Sequence, residues 1–155
     1  MIELKDIQST IVSQIGAGTV ASPTYFDGET IVADVGLSKD TIETALTTRG
    51  FCVIADLPIK GKVMMDTANV AETYVTCPVI VQLNPEINAS ATGAGKVLLE
   101  AVQNVVDAVL SYGTIGSDRF ELEDDCFHVS VDDGGLVTYI IMFRKLTSLG
   151  ATVEV

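Results

Sequence analysis

Phe51-Cys-Val-Ile-Ala55 is continuously apolar and is bounded by Gly50 and Pro58. A run this short and this apolar predicts a β-strand buried on both faces. Such a strand needs a sheet around it and elements to cover that sheet. The segments on either side supply candidates for both.

Leu4, Ile7, Ile11 and Ile15 recur at helical spacing, with Lys5, Asp6, Gln8, Ser9 and Ser13 between them. They predict an amphipathic first helix, ended by Gly16-Ala-Gly18. Thr19–Tyr25 is rich in small and β-branched residues and predicts a short strand. Asp27-Gly28 signals a hairpin turn, and Thr30–Val35 a second short strand. Asp40 and Glu43 form a candidate capping box, Ser38 is a second candidate cap, and Ile42, Ala45 and Leu46 give one apolar face. A short helix is therefore expected over Asp40–Thr48. Lys60–Met65 predicts a weaker strand, Thr67–Ala71 a connection, and Glu72–Leu83 a long strand. Pro78 cannot donate to a ladder, which places it at an edge, a bulge or a break. Asn84-Pro85 opens a loop.

A long helix is expected over Gly93–Tyr112. Lys96, Glu100, Gln103, Asn104, Asp107 and Ser111 fall within an arc of roughly 100°, at about 100° per residue. The rest of Val97–Leu110 is apolar, more than one packing surface needs. Two readings stay open: a helix held between the sheet and another helix, or one facing a second subunit. The chain then runs through the acidic Asp118-Arg-Phe-Glu-Leu-Glu-Asp-Asp125 into a closing hairpin. Its strands are Cys126–Val131 and Leu136–Leu146, with a turn at Asp132-Asp-Gly-Gly135. The order predicts a single α+β domain over residues 1–155, a mixed, mostly antiparallel sheet with helices packed against it.

Composition excludes several function classes. The formal charge of −12 argues against direct nucleic-acid affinity and against binding to anionic membranes. It does not exclude standing beside DNA, since an acidic surface lets DNA pass without sticking. No apolar run approaches the roughly 18 residues of a membrane span, and Met1–Asp6 has no signal-peptide features. Cys52, Cys77 and Cys126 are odd in number and far apart, which fits a reducing cytosol.

Each motif with chemical potential has a plainer reading. Gly16-Ala-Gly18-Thr-Val-Ala21 follows a helix where a dinucleotide fingerprint follows a strand. Gly93-Ala-Gly95-Lys96 imitates a phosphate loop, but Ser90 and Val97 stand where its leading glycine and magnesium ligand belong. Asn88-Ala-Ser90 matches a glycosylation acceptor by chance composition. Cys126 and His128 share a strand face, yet such neighbours lie about 7 Å apart, beyond hydrogen-bond reach. Asp124-Asp125 and Asp132-Asp133 lack the alternating oxygens of a calcium loop, and Asp132-Asp-Gly-Gly135 suits a turn. No catalytic residue, cofactor or metal site is expected. The carboxylates suit a solvated face or an electrostatic role at an interface or channel.

In order, the first helix leads to Thr24-Tyr-Phe-Asp-Gly28, then to the apolar strand Phe51–Leu57 and an arm with Lys60, Gly61 and Lys62. The long strand, a helix, the acidic Asp-Asp loop and Leu136-Val-Thr-Tyr-Ile-Ile-Met-Phe143 follow. This order resembles the tail terminator proteins of long-tailed bacteriophages, of the lambda kind. There a Phe-Phe-Asp-Gly segment follows the first helix, and an Asp-rich loop precedes a terminal strand with Leu-Thr-Tyr-Val-Ile. Ala33–Thr47 is additional to that pattern, and Pro78 interrupts its long strand. The resemblance implies a non-enzymatic minor tail protein of a phage or prophage. Such a protein forms a hexameric ring that caps the tail tube, stops its polymerisation and offers the head a joining surface. The implied partners are further copies of the chain, tail tube protein and head-completion protein, with DNA passing through unbound and no membrane. The implied setting is the host cytoplasm during assembly and then the virion tail. Lys60, Lys62, Asp124, Asp125, Asp132 and Asp133 are the candidate interface or channel residues. A head-completion or neck protein is the nearest alternative, and a small cytosolic enzyme using Cys126 and His128 a more distant one.

Overall fold

The computed structural model describes residues 2–34, 36, 38–66, 70–113 and 119–150. A 3-10 turn (Leu4–Asp6) leads into α1 (Ile7–Ala17), followed by β1 (Ile31–Ala33), α2 (Lys39–Thr48), β2 (Phe51–Ala55), β3 (Lys60–Asp66) and β4 (Val70–Leu83). The one-turn α3 (Pro85–Asn88), α4 (Leu98–Leu110), β5 (Glu121–Val131) and β6 (Val137–Gly150) complete the order. The six strands form one sheet in the order β1-β2-β4-β6-β5, with β3 also pairing with β4. Only β1 and β2 are parallel; the other pairs are antiparallel. The expected α+β architecture is therefore present.

Every residue of β2 is buried, and two different layers account for it. Phe51, Val53 and Ala55 face a core shared with α1 and α4. Cys52 and Ile54 face the other way, onto Ala45 with Ile42 and Leu46 of α2. The helix within the additional segment 33–47 thus covers the second face of the strand. On α1, Ile7, Ile11 and Ile15 are wholly buried, each contributing roughly 1.5–3 kcal/mol through burial. Gln8 Nε2 donates to Asp34 O and Ala55 O at 2.9 and 3.0 Å, tying α1 to the ends of β1 and β2. Gly18 caps α1 at φ 71° and donates to Ile15 O.

Several local expectations are corrected. Thr19–Tyr25 is not a strand. Thr19 and Ser22 hydrogen-bond to each other, and Pro23 lies in the turns that follow, so no extended ladder forms. Asp27-Gly28 lies in those turns and not in a hairpin. The Asp40 capping box is absent: Ser38 is the cap residue of α2, and its hydroxyl donates to Ala33 O instead. Of Thr67–Ala71, residues 67–69 lie outside the described residues, and Val70 and Ala71 already belong to β4.

Pro78 neither breaks nor bulges β4, whose register with β6 is continuous from Val70 to Leu83. On its other side β4 pairs with β3 through Thr76 and with β2 from Val79 onward. Pro78 sits at the seam between them, and its carbonyl accepts from Asp56 N. A strand residue's N–H and C=O point the same way, so the missing N–H falls where the chain crosses from β2 to β3.

The long helix is shorter than expected, Leu98–Leu110. Residues 93–97 instead form a tight approach, in which the Asn88 side chain brackets Lys96. Asn88 Nδ2 donates to Lys96 O and its Oδ1 accepts from Lys96 N, both at 2.9 Å. The buried Asn88 is thereby structural, whatever its match to a glycosylation acceptor. Ala101, Val102, Val105, Val106, Ala108 and Val109 are buried against the sheet and α1. Packing within the chain absorbs most of the apolar surplus, leaving Val97 and Leu99 exposed.

Candidate functional site

β4 and β6 are long and lie side by side, and the helices cover only part of them. β3 flanks β4 from Ala71 to Thr76 and β5 flanks β6 from Val137 to Arg144, so the two outer strands share only the row of Lys60, Thr76, Arg144 and Glu121. On the sheet face away from α1 and α4 lies a groove of about 890 Å³. Strand alternation builds its floor from Tyr74 and Thr76 of β4 and Met142 and Arg144 of β6. One wall is β3, with Lys60, Gly61 and Lys62. The other is β5, with Glu123, Asp124, Asp125 and His128.

Four of the six predicted site residues, Lys60, Lys62, Asp124 and Asp125, therefore meet in one groove, cationic along one wall and anionic along the other. Asp132 and Asp133 do not join them. They occupy the β5–β6 turn, where Asp132 Oδ1 accepts from Gly134 N and Leu136 N at 2.9 Å. That is the turn chemistry expected of the segment.

From Glu121 on, the acidic stretch is not a loop before the hairpin but part of β5, while Asp118 lies outside the described residues. Leu122 pairs with Phe143 and Phe127 with Ile141, so four residues of β5 stand opposite Met142 alone. This bulge holds Glu123, Asp124, Asp125 and Cys126, and it turns the carboxylates onto the groove wall. Thr76 Oγ1 donates to Glu123 Oε1 at 2.7 Å, and Arg144 Nε donates to Glu121 Oε2 at 2.8 Å. Arg144 also lies 5.1 Å from the Tyr74 ring centre. These floor contacts hold Arg144 and Glu123 in place and leave the wall charges facing solvent. Tyr74, Thr76, Met142 and Arg144 were not singled out from the sequence. The alternation of β4 and β6 carries them, but only once the two strands are known to be neighbours.

The bulge takes Cys126 out of the regular alternation on which its sharing a strand face with His128 depended. His128 Nε2 lies 3.2 Å from Asp125 O, and Cys126 belongs to the bulged segment instead of the regular strand. The other two thiols are buried, and burial pushes both Cys52 and Cys77 up to about 12. Thiols held neutral in this way are poor nucleophiles. Among the described residues no group of three or more His, Cys, Asp or Glu is placed to hold a metal ion.

The opposite face of the outer strands is apolar. Phe127, Val129 and Val131 of β5 are 45%, 62% and 63% exposed. Their cross-strand partners are Ile141, Tyr139 and Val137. Ile141 belongs to the core, so the stripe continues the core face of the sheet beyond its helical cover. Ile59, just before β3, and Val63, on it, are also more than half exposed. No helix among the described residues is long and apolar enough to cross a membrane. No family model matches the chain, and no curated protein matches it.

Proposed function

We propose that this protein is an assembly subunit that works through its surfaces, a tail terminator of the long-tailed phage kind. It forms a ring, with six copies as the expected order. The ring caps the tail tube, stops its growth and presents a joining surface to the head. The observation that carries this reading is the open edge of β5, where Phe127, Val129 and Val131 stand exposed beside unpaired strand backbone. An exposed apolar edge invites another chain to pair with it. The groove supports the reading by its character, with opposed charges along two walls and its buffered floor contacts, a surface suited to docking. The net charge of −12 fits a channel that DNA slides through without adhering. In this reading the protein acts in the host cytoplasm during assembly and stays in the virion tail.

The test is polymerisation of tail tube protein with and without this chain. A terminator gives capped tubes of fixed length, together with ring particles by sedimentation. Unchanged tube length with intact rings would identify a neck or head-completion protein instead. Unchanged length with no rings would sink the assembly reading.

A further inference from the structure

The open edge of β5 is made by its apolar residues. Asp132 N donates to Leu136 O across the closing turn, so these two form a hydrogen-bonded pair. Such pairs alternate with non-bonded ones along an antiparallel ladder. The register then makes Ser130–Thr138 and His128–Ile140 bonded pairs, and Val131–Val137, Val129–Tyr139 and Phe127–Ile141 non-bonded ones. Phe127, Val129 and Val131 therefore turn both N–H and C=O away from β6, to the side where no described strand lies. The same three residues carry the exposed apolar side chains of β5. The bulge bounds this stretch at one end and the turn at Asp132 bounds it at the other.

The stretch is complementary to itself. A second copy turned half a revolution about the sheet normal brings its β5 antiparallel to the first, with the same face up. With Val129 opposite the second copy's Val129, Phe127 meets Val131 and Val131 meets Phe127. Each of these rows is then a hydrogen-bonded pair, and its side chains meet as an apolar pair on the core face. On the groove face His128 meets Ser130 and Ser130 meets His128. A slide of two residues in either direction sets Val131 against Asp125 or Phe127 against Asp133, and one bonded row is lost to the bulge or the turn. Only the register centred on Val129 uses the whole edge.

We infer that β5 is a two-fold seam, where two copies of this chain join their sheets through Phe127, Val129 and Val131. Charge argues for this place of contact. Two copies at −12 repel, so they meet where carboxylates are kept apart. Residues 126–131 contain none, and the central register holds Asp124, Asp125, Asp132 and Asp133 at the two ends. On the same rows the outer strand of the far edge, β1, is less free, because Ser38 Oγ already donates to Ala33 O. A two-fold contact closes at two copies. The inference does not rest on the ring reading; a ring of six that contained this seam would be three pairs joined by a second contact.

Cysteine pairing tests the register. Cys52 and Cys77 are buried, so the background is Cys126→Ser. Val129→Cys should then form a disulfide-linked dimer on mild oxidation, because opposed Cα atoms of a bonded row lie about 5.5 Å apart. Phe127→Cys or Val131→Cys alone should link far less, each lying roughly 13 Å along the strand from its own copy. An equal mixture of those two should link into heterodimers. Linking by all three alike, or by none, would overturn the inference. Val129→Pro tests the edge itself. It removes an N–H that the single chain does not use, so circular dichroism and melting should hold while light scattering shows the dimer lost. Should the proline disturb the fold, Val129→Lys makes the same test. A folded variant of either kind that still dimerises, or a wild type that is monomeric throughout, would overturn the seam. Salt should strengthen the dimer by screening Asp125 from the second copy's Asp133, and weakening by salt would count against the seam. A wild type that dimerises yet leaves tube length unchanged would remove the terminator reading alone.

Discussion

At Gly93, a Cβ would lie 1.9 Å from Ile87 O and 2.6 Å from Asn88 O. Nothing but glycine fits beside the α3 turn. Gly95, two residues on, has φ 62° with nothing near its absent Cβ. Alanine should therefore cost different amounts at the two sites. Gly95→Ala bears only left-handed backbone strain, about 1–2 kcal/mol, whereas Gly93→Ala must displace backbone and should cost at least about 3 kcal/mol. Urea denaturation of the two variants checks the order, and equal losses would contradict the packing. The thiols give a second residue-scale prediction. Burial raises Cys52 and Cys77 from 9.0 to about 12, so the folded chain keeps protons that the unfolded chain releases. Their contribution to stability is full below pH 9 and is lost as pH rises from there toward 12. A Cys52→Ala, Cys77→Ala chain should show a shallower alkaline fall in denaturation midpoint than the wild type. In the native state a thiol reagent should modify Cys126 alone, with all three reacting in denaturant.

The helices and strands were legible in the sequence where their period is set by packing onto one surface, as at Ile7, Ile11 and Ile15 or across Phe51–Ala55. Expectation failed where backbone geometry decided. Thr19–Tyr25 has strand composition but spends its hydrogen bonds on turns. Residues 93–97 were read as the start of the long helix, but Gly95 is left-handed at φ 62° and Asn88 takes up the Lys96 backbone groups, so the helix starts only at Leu98. The bulge left a readable trace: apolar residues fall on even positions at Phe120 and Leu122 and on odd ones at Phe127, Val129 and Val131. A phase change inside a strand marks inserted residues. The groove was half legible, because charge singled out its walls while its floor depends on β4 lying beside β6, a pairing between distant segments. The bulge also yields a prediction. Deleting Asp124, Asp125 and Cys126 leaves Glu123 alone opposite Met142 and keeps the flanking pairs. The shortened chain should fold with stability within about 1 kcal/mol of the wild type, yet lose the acidic wall of the groove. A large fall in melting temperature would mean the bulge supports the fold itself.

Across the whole molecule, 21 carboxylates against 9 cations set the long-range field. The chain should leave the mobility of duplex DNA unchanged even at about 50 mM salt, where phosphate contacts are strongest. The β5–β6 turn separates two roles for its carboxylates. Asp132→Lys removes two hydrogen bonds and should lower the melting temperature, whereas Asp133→Lys should spare it. If this turn borders the DNA channel, Asp133→Lys particles should assemble normally and eject DNA slowly; normal ejection would place the turn elsewhere. Pro78 has a consequence at this scale for how the sheet reaches its final pairing. A 14-residue strand with uniform backbone could dock its partners in several offsets, each satisfying most hydrogen bonds. The one position that offers no donor lies where β2 ends and β3 begins. In the native pairing the ring faces Asp56, just past the end of β2, whereas a slide of β2 or β3 across Pro78 would set an acceptor from within the strand against the ring and leave it empty. The residue that looks least suited to the longest strand thereby acts as a proofreading mark, rejecting misaligned sheets while the chain folds.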